Sequence, residues 1–300
     1  MTLDDRAWAE IGLLALIWGA SFVTVAVALG EMGPLATVAW RTGLGAAALW
    51  AAVAALRIAP PRSAGFWGAC AVMGLLNNAV PFGLMAWAQQ SIESGLTAIL
   101  NAMTAVFAAG VAALLLREER LTARRAVGIL LGLAGVATIM GREAILALDP
   151  RSAAQWAVLG GAFSYALASV WARVRLRGAP PAAAAAGMVT CGFLLILPLA
   201  LWREGVPPLP RSPEVWAAVA WYGLLGTAAA YLLYYRIIAR AGAANAMLVT
   251  LLIPPAAILL GRLLLDEALA PRAYAGLGLI ALGLVALDGR LLRRRAASGA

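Results

Sequence analysis

Long apolar stretches that follow one another along the whole chain are the feature that most constrains its fold. Of the 300 residues, 63% are apolar and only 12% are charged. A soluble globular protein has roughly a quarter of its residues charged. Because each helix that crosses a bilayer takes about 20 mostly apolar residues, the chain has room for about ten to twelve spans. The composition therefore predicts an all-α integral membrane protein embedded in the lipid bilayer.

Ten stretches are predicted to cross the membrane as helices, joined by short links that carry glycine and proline. They are 8–28, 35–56, 66–88, 96–116, 126–140, 155–174, 181–202, 214–238, 243–265 and 273–287. Every basic side chain is an arginine. The N-terminal segment, the even-numbered links and the C-terminal tail hold 16 arginines, counting Arg173 and Arg236 with the links that follow them, against 5 in the odd-numbered links. Because arginine is enriched in cytoplasmic links, this asymmetry predicts that both termini are cytoplasmic.

Spacing within the sequence indicates two related halves, 1–148 and 149–300. Glu119 and Glu267 each follow an apolar stretch, and they are 148 residues apart. Each half would contain five spans, and because five is odd the two halves must face opposite ways across the membrane. Inverted repeats of this kind are typical of secondary transporters.

Glycines recur at the same spacing in the two halves: Gly128 and Gly135 are matched by Gly276 and Gly283. Small residues let membrane helices approach closely, either within one chain or between two chains. We interpret these glycines as close packing inside each half rather than as a dimer contact. A monomer is therefore expected.

Several function classes lack the residues they need. The chain has no His and no Lys, and Cys70 and Cys191 both lie inside apolar stretches, so no metal site, cofactor or nucleotide-binding loop is expected. No carboxylate lies at the centre of a predicted span, and Glu10, about one turn inside the first, is the nearest to one. A membrane-embedded enzyme is therefore the weaker alternative. The arginines are scattered among links, so no nucleic-acid partner is expected.

Polar side chains at the span centres are the candidates for contact with a small-molecule substrate, because an unpartnered polar group in hydrocarbon is costly. Asn77 and Asn78 are neighbours that point about 100° apart on a helix, so one must leave the face that the other occupies. Pro81 removes a backbone hydrogen bond near them. The alternative for each Ser, Thr or Asn is that it only joins helices. The candidate residues are Trp18, Ser21, Arg41, Asn77, Asn78, Asn101, Thr104, Ser164, Tyr165, Thr227, Tyr231, Thr250 and Pro254.

Arg41 is predicted to lie about seven residues inside the second span, roughly 10 Å deep at 1.5 Å per residue. It could anchor a substrate carboxylate. The alternative is a structural arginine that extends to the outer rim or caps backbone carbonyls there.

These features are distributed over almost the whole chain, and together they resemble the EamA-type branch of the drug/metabolite transporter superfamily. The resemblance rests on Trp18-Gly-Ala-Ser-Phe22, Arg41, the segment from Pro254 to Glu267, and the paired Glu119 and Glu267. One residue departs from the family pattern: the proline of the fourth span, kept as Pro254 in the ninth, is Val106 here.

The resemblance implies a secondary transporter of the bacterial inner (plasma) membrane rather than an enzyme. It implies export of small metabolites, above all amino acids, by alternating access, and the YddG-like aromatic amino-acid exporters are the nearest kin. Drugs, quaternary cations and nucleotide or sugar metabolites are the alternative substrates. The predicted cavity is weakly polar and uncharged apart from Arg41, which disfavours sugar phosphates with several negative charges.

Overall fold

In the computed structural model the described residues are 5–115, 122–146, 150–241 and 249–288, and this part of the chain is helical without strands. Two π-helical segments interrupt the α-helices. The α-helices are α1 (Asp5–Ala28), α2 (Pro34–Ala55), α3 (Ala64–Gly74), α4 (Val80–Ala88), α5 (Ser94–Asn101), α6 (Met103–Leu115), α7 (Ala123–Leu146), α8 (Pro150–Arg175), α9 (Pro181–Arg203), α10 (Pro213–Ala220), α11 (Ala230–Ala241), α12 (Val249–Leu265) and α13 (Pro271–Asp288). The π-helical segments are π1 (Leu75–Ala79), between α3 and α4, and π2 (Trp221–Ala229), between α10 and α11.

Seven helical segments within the described ranges are long and apolar enough to cross a membrane. Three shorter apolar helices accompany them, at Ala126–Ile139, Leu252–Leu265 and Pro271–Ala286. Every apolar stretch predicted from the sequence overlaps one of these helical segments. The all-helical membrane fold is thus confirmed, whereas the count of ten crossings and the side of the termini stay predictions. Glu119 lies outside the described residues.

The third predicted stretch contains π1 because Pro81 cannot continue the backbone hydrogen bonding. The N–H of Val80 bonds to the carbonyl of Leu75, five residues earlier. Pro81 has no N–H for the next carbonyl in this series, that of Leu76. The hydroxyl of Ser164 on α8 donates to that carbonyl at 2.7 Å instead. A side chain from another helix thus satisfies the carbonyl that the proline leaves open.

The fourth predicted stretch is interrupted at Ala102, which separates α5 from α6 although no proline is present. The ninth contains Pro254 and Pro255, yet α12 runs without interruption through both. The two corresponding segments therefore differ in shape. The helix without proline is interrupted, and the helix with two prolines is continuous.

Helices from the first half of the chain pack mainly against helices from the second half. The principal pairs are α1 with α12, α2 with α9, α7 with α13, and α8 with both α4 and α6. The run Ala182–Ala186 on α9 is buried, and these small side chains allow close packing against α2 and α3.

The repeated glycines join α7 to α13. A Cβ placed on Gly135 would lie 2.8 Å from the carbonyl oxygen of Gly276, and one on Gly283 would lie 2.7 Å from that of Gly128. Only glycine permits this separation of the two backbones. The interpretation that these glycines pack inside each half is therefore wrong, because they hold one helix of each half together.

Candidate functional site

A central cavity of about 290 Å³ lies between α1, α2, π1, α4, α5, α6, α8, π2, α11 and α12. Its walls come from both halves of the chain. The lining residues are Trp18, Ser21, Phe22, Val25, Thr37, Val38, Arg41, Asn77, Phe82, Met85, Ala86, Gln89, Ala98, Asn101, Ala102, Thr104, Tyr165, Ser169, Gly226, Tyr231, Tyr234, Val249, Thr250 and Ile253. Most of this surface is aliphatic or aromatic, with a small number of polar groups.

Nine of the thirteen candidate residues line the cavity. They are Trp18, Ser21, Arg41, Asn77, Asn101, Thr104, Tyr165, Tyr231 and Thr250. The remaining four, Asn78, Ser164, Thr227 and Pro254, lie outside the lining, and all four are buried. Depth within an apolar stretch does not fix the direction of a side chain, so the convergence of these nine residues on one cavity comes from how the helices are rotated about their axes.

Arg41 is the positive pole of the cavity. Its Nε donates to Thr227 Oγ1 at 3.2 Å, and its guanidinium carbon lies 3.8 Å from the centroid of the Phe82 ring. Within the described residues no carboxylate pairs with it, and its two terminal nitrogens have no acceptor. The structural alternative of carbonyl capping is not what is observed, because the one hydrogen bond goes to a hydroxyl.

Asn77 and Asn78 point to different surroundings, as their adjacent positions on a helix predict. Asn77 lines the cavity, and its Nδ2 donates to the hydroxyl of Tyr231 at 3.0 Å. Asn78 is fully buried and donates to the backbone carbonyl of Met188 on α9 at 3.3 Å, while its Oδ1 has no partner. Asn78 therefore joins two helices. It does not line the cavity, contrary to the prediction.

The cavity lining also excludes three other predicted residues, Ser164, Thr227 and Pro254. The hydroxyl of Ser164 donates to the carbonyl of Leu76. Thr227 is fully buried behind Arg41, and its hydroxyl donates to the carbonyl of Tyr222 at 2.8 Å. Pro254 lies in the buried interior of α12.

Four further polar side chains line the cavity that the sequence did not single out, those of Tyr234, Gln89, Thr37 and Ser169. The Tyr234 ring lies at a tilted angle of 51° to that of Trp18 with centroids 5.5 Å apart, and the Trp18 indole N–H donates to the carbonyl of Gly226 at 3.2 Å. Gln89, just beyond α4, donates to the carbonyl of Phe22 at 3.1 Å. Thr37 and Ser169 complete the set. Gln89 was missed because it follows the predicted end of an apolar stretch, where a polar residue is ordinary.

Two carboxylates of the second half lie at the starts of helices from the first half rather than in the cavity. Glu204 accepts from the backbone N–H groups of Leu35 and Ala36, at 3.0 and 2.9 Å, at the start of α2. Glu267 accepts from those of Ser94 and Gly95, at 2.8 and 3.2 Å, at the start of α5. Negative charge is favourable at a helix N-terminus, so each of these carboxylates holds one half of the chain to the other.

Glu31 makes the reciprocal contact from the first half. It accepts from the backbone N–H groups of Arg211 and Ser212, at 2.6 and 3.0 Å. Hydrogen bonds from Ser212 and from the Arg211 backbone lower the pKa of Glu31 below its ordinary value of 4.5. This carboxylate is therefore ionised at neutral pH.

Glu10 lies near the N-terminal end of α1, far along the helix from Glu31, and it does not line the cavity. It is 7% exposed, and its Oε1 lies 2.9 Å from Arg240 and 3.2 Å from Arg236, with Arg6 at 3.8 Å. No Asp or Glu is present among the lining residues, so Arg41 is the only formal charge on the described cavity wall.

The profile of the EamA-like transporter family matches this chain twice, over residues 10–141 and 152–287. The chain belongs to the EamA-like transporter family. This transporter is 22% identical over 271 residues to the uncharacterized transporter YoaV of Bacillus subtilis, covering 90% of this chain and 92% of that protein. It is 26% identical over 299 residues to a probable terminal-alkyne amino-acid exporter of Streptantibioticus cattleyicolor, covering 98% and 97%.

Among the solved structures with this fold is a crystal structure with a TM-score of 0.69 at 19% identity, and the match covers 97% of this EamA-like chain and 100% of that one. The family assignment makes this protein a multi-pass membrane transporter rather than an enzyme, as the sequence predicted. Its bacterial relatives indicate the inner membrane. The narrower resemblance to YddG-like exporters stays a prediction.

Proposed function

We propose that this EamA-like transporter exports small neutral amino acids or closely related carboxylates, and that Arg41 holds the substrate carboxylate. The observation that carries the proposal is a cation without a counter-ion on the wall of an otherwise uncharged cavity. Arg41 is half-buried, and a charge withdrawn from water is costly unless it is paired, so an arginine of this kind favours a ligand that brings the anion. The guanidinium fork matches the geometry of both carboxylate and phosphate groups, and carboxylate is the one that an amino acid carries.

The dimensions and walls of the cavity fit one small molecule with an apolar side chain. Its volume of about 290 Å³ is close to the lower limit of about 300 Å³ for ligand pockets. Phe22, Trp18 and Tyr234 provide apolar surface, and Asn77 and Asn101 provide amide oxygens for an ammonium group. The name of the Streptantibioticus cattleyicolor relative describes an amino-acid exporter, which agrees with this substrate class.

The alternative substrates fit less well. A quaternary or polyamine cation would meet Arg41 and no carboxylate on the described lining, which is an unfavourable charge arrangement. A nucleotide sugar or a sugar phosphate with several negative charges would find one arginine and a small cavity.

The proposed architecture has ten crossings, two inverted halves over 1–148 and 149–300, and both termini in the cytoplasm. The family profile matches once in each half, and the arginine asymmetry gives the orientation. Recurring contacts also support it: a Cβ on Gly45 would lie 2.6 Å from Thr227 on π2, and one on Gly192 would lie 2.7 Å from Asn78 on π1. Alternating access then follows from movement of one half against the other. Since one chain supplies every described wall of the cavity, we propose a monomer.

Uptake of the twenty labelled L-amino acids into liposomes that contain the purified protein tests the proposal. We expect saturable flux for one or more neutral amino acids, and a loss of about ten- to hundredfold in affinity for Arg41→Met, because a hydrogen-bonded charged contact is removed. Arg262→Met is the matched control, since Arg262 is 61% exposed and pairs with the exposed Asp266. Flux that equals that of empty liposomes for all twenty, or that is unchanged in Arg41→Met, would refute the proposal.

A further inference from the structure

We propose that Thr227 is the positioning residue that presents Arg41 to the substrate end-on, and that it thereby sets the preference for a carboxylate over an uncharged carboxamide. This inference rests on the proposed function, in which Arg41 holds the carboxylate. Thr227 itself does not contact the substrate, because it is fully buried and lies outside the cavity lining.

The direction of the Thr227 hydroxyl is fixed by the geometry of π2. Its Oγ1 lies 2.8 Å from the carbonyl oxygen of Tyr222, five residues earlier, and 3.2 Å from Arg41 Nε. A hydroxyl has a single proton, and neither the carbonyl nor the guanidinium can exchange roles. The proton therefore goes to Tyr222, and a lone pair of the same oxygen accepts from Arg41.

Gly45 on α2 leaves room for Thr227 on the other side. A Cβ on Gly45 would lie 2.6 Å from the Thr227 methyl carbon, closer than real Cβ atoms approach other atoms, and 3.0 Å from its Cβ. The methyl group therefore occupies space that is open only because residue 45 is glycine, and a side chain at position 45 would displace Thr227 from Arg41.

This arrangement selects one edge of the guanidinium. Nε is occupied by Thr227, and one face of the plane lies over the Phe82 ring at 3.8 Å. The edge that carries the two terminal nitrogens has no acceptor among the described residues. A carboxylate can bind that edge through two parallel hydrogen bonds, whereas the side-on arrangement that uses Nε is blocked. A carboxamide has one oxygen and can accept only part of this set.

The corresponding contact in the other half shows what is particular to Thr227. Asn78 on π1 faces Gly192 as Thr227 faces Gly45, but it donates to the backbone carbonyl of Met188 and touches no cation. Both halves thus repeat the contact with a glycine. Among the described residues, only the copy at Thr227 also orients a charged side chain.

The test compares the dissociation constants of the tightest-binding L-amino acid and of its α-carboxamide, measured by calorimetry on the full-length protein in detergent. We expect Thr227→Val, which keeps the shape and removes the hydroxyl, to reduce the preference for the carboxylate about tenfold. Thr227→Ser restores the hydroxyl, and we expect it to restore most of the preference. Gly45→Ala displaces Thr227 without adding a polar atom, and we expect it to act in the same direction as Thr227→Val.

In an Arg41→Met background, Thr227→Val should leave the ratio of the two constants unchanged, which a merely structural role of Thr227 would not predict. A Thr227→Val protein that keeps the wild-type ratio while Arg41→Met loses it overturns this inference and leaves the proposed function intact. A wild-type protein with no preference for the carboxylate, unaffected by Arg41→Met, overturns both. Elution as a single symmetrical peak in size-exclusion chromatography, together with the melting temperature, establishes that each variant folds. If Thr227→Val does not fold, Gly45→Ala tests the inference in its place.

Discussion

Replacement of Glu10 by glutamine should destabilise the protein without changing how transport responds to pH. Glu10 is 7% exposed and pairs with Arg240 at 2.9 Å and Arg236 at 3.2 Å, so the substitution removes two short ion pairs between α1 and α11. The two arginine side chains are 35% and 56% exposed, and water therefore screens the pairs in part.

The magnitude lies between two known limits. Exposed ion pairs contribute about 0 to 1 kcal/mol, and breaking a fully buried pair costs about 3 to 5 kcal/mol. A buried acceptor with half-exposed donors falls between these values, so we expect a loss of about 2 kcal/mol in the free energy of unfolding. A melting temperature lower by several degrees would report it. Glu93→Gln is the matched control, since Glu93 pairs with Arg151 at 2.8 Å and is more exposed.

The transport assay addresses proton coupling. Proton-coupled carriers keep an acid or a His in contact with the pathway, whereas the described cavity lining has neither and Glu10 is turned towards arginines. We therefore expect wild-type protein and Glu10→Gln to equilibrate labelled amino acid equally well with and without an imposed pH gradient. Accumulation above equilibrium that follows the gradient and disappears in Glu10→Gln would show that Glu10 carries a proton.

Three further outcomes are expected. Asn77→Ala should weaken amino-acid binding about tenfold because Asn77 lines the cavity, whereas Asn78→Ala should lower the melting temperature and leave affinity unchanged; equal loss of affinity in both would contradict this assignment. In a cysteine-free background, a cysteine at Leu209 should react with an impermeant thiol reagent from outside and one at Arg177 should not, and the reverse labelling would invert the proposed topology. The pKa of Glu31 is lowered in the folded protein, so its contribution to stability is present above a pH of about 4.5 and is lost as the pH falls through the lower folded value. The difference in melting temperature between wild type and Glu31→Gln should therefore be constant from pH 7 to 5 and shrink only below that.

Much of the candidate site follows from the depth of polar residues within apolar stretches. Arg41, Asn77 and Tyr231 were predicted to contact a substrate because polar groups in hydrocarbon need a partner, and all three line the cavity. Depth does not say which way a side chain points. Asn78 and Thr227 are equally deep, yet each is turned into a helix contact, and Asn78 approaches a glycine of the facing helix.

The sequence by itself determined that the chain is a helical membrane protein. Hydrocarbon cannot satisfy backbone N–H and C=O groups, so long apolar stretches without strand closure must be helices, whatever their neighbours are. The family motif and the absence of catalytic residues then pointed to a transporter. None of this required knowledge of which helices touch.

Only the tertiary structure decided the helix faces and partners. A soluble helix shows its buried face by the contrast between apolar and polar sides, but a membrane helix is apolar on the lipid side and on the protein side alike. The packing of α7 on α13 through Gly135 and Gly276, the capping of α2 by Glu204, and the hydrogen bond from Arg41 to Thr227 are therefore not visible in the sequence. Each depends on a residue more than a hundred positions away, brought into contact by the way the two halves of the chain interleave.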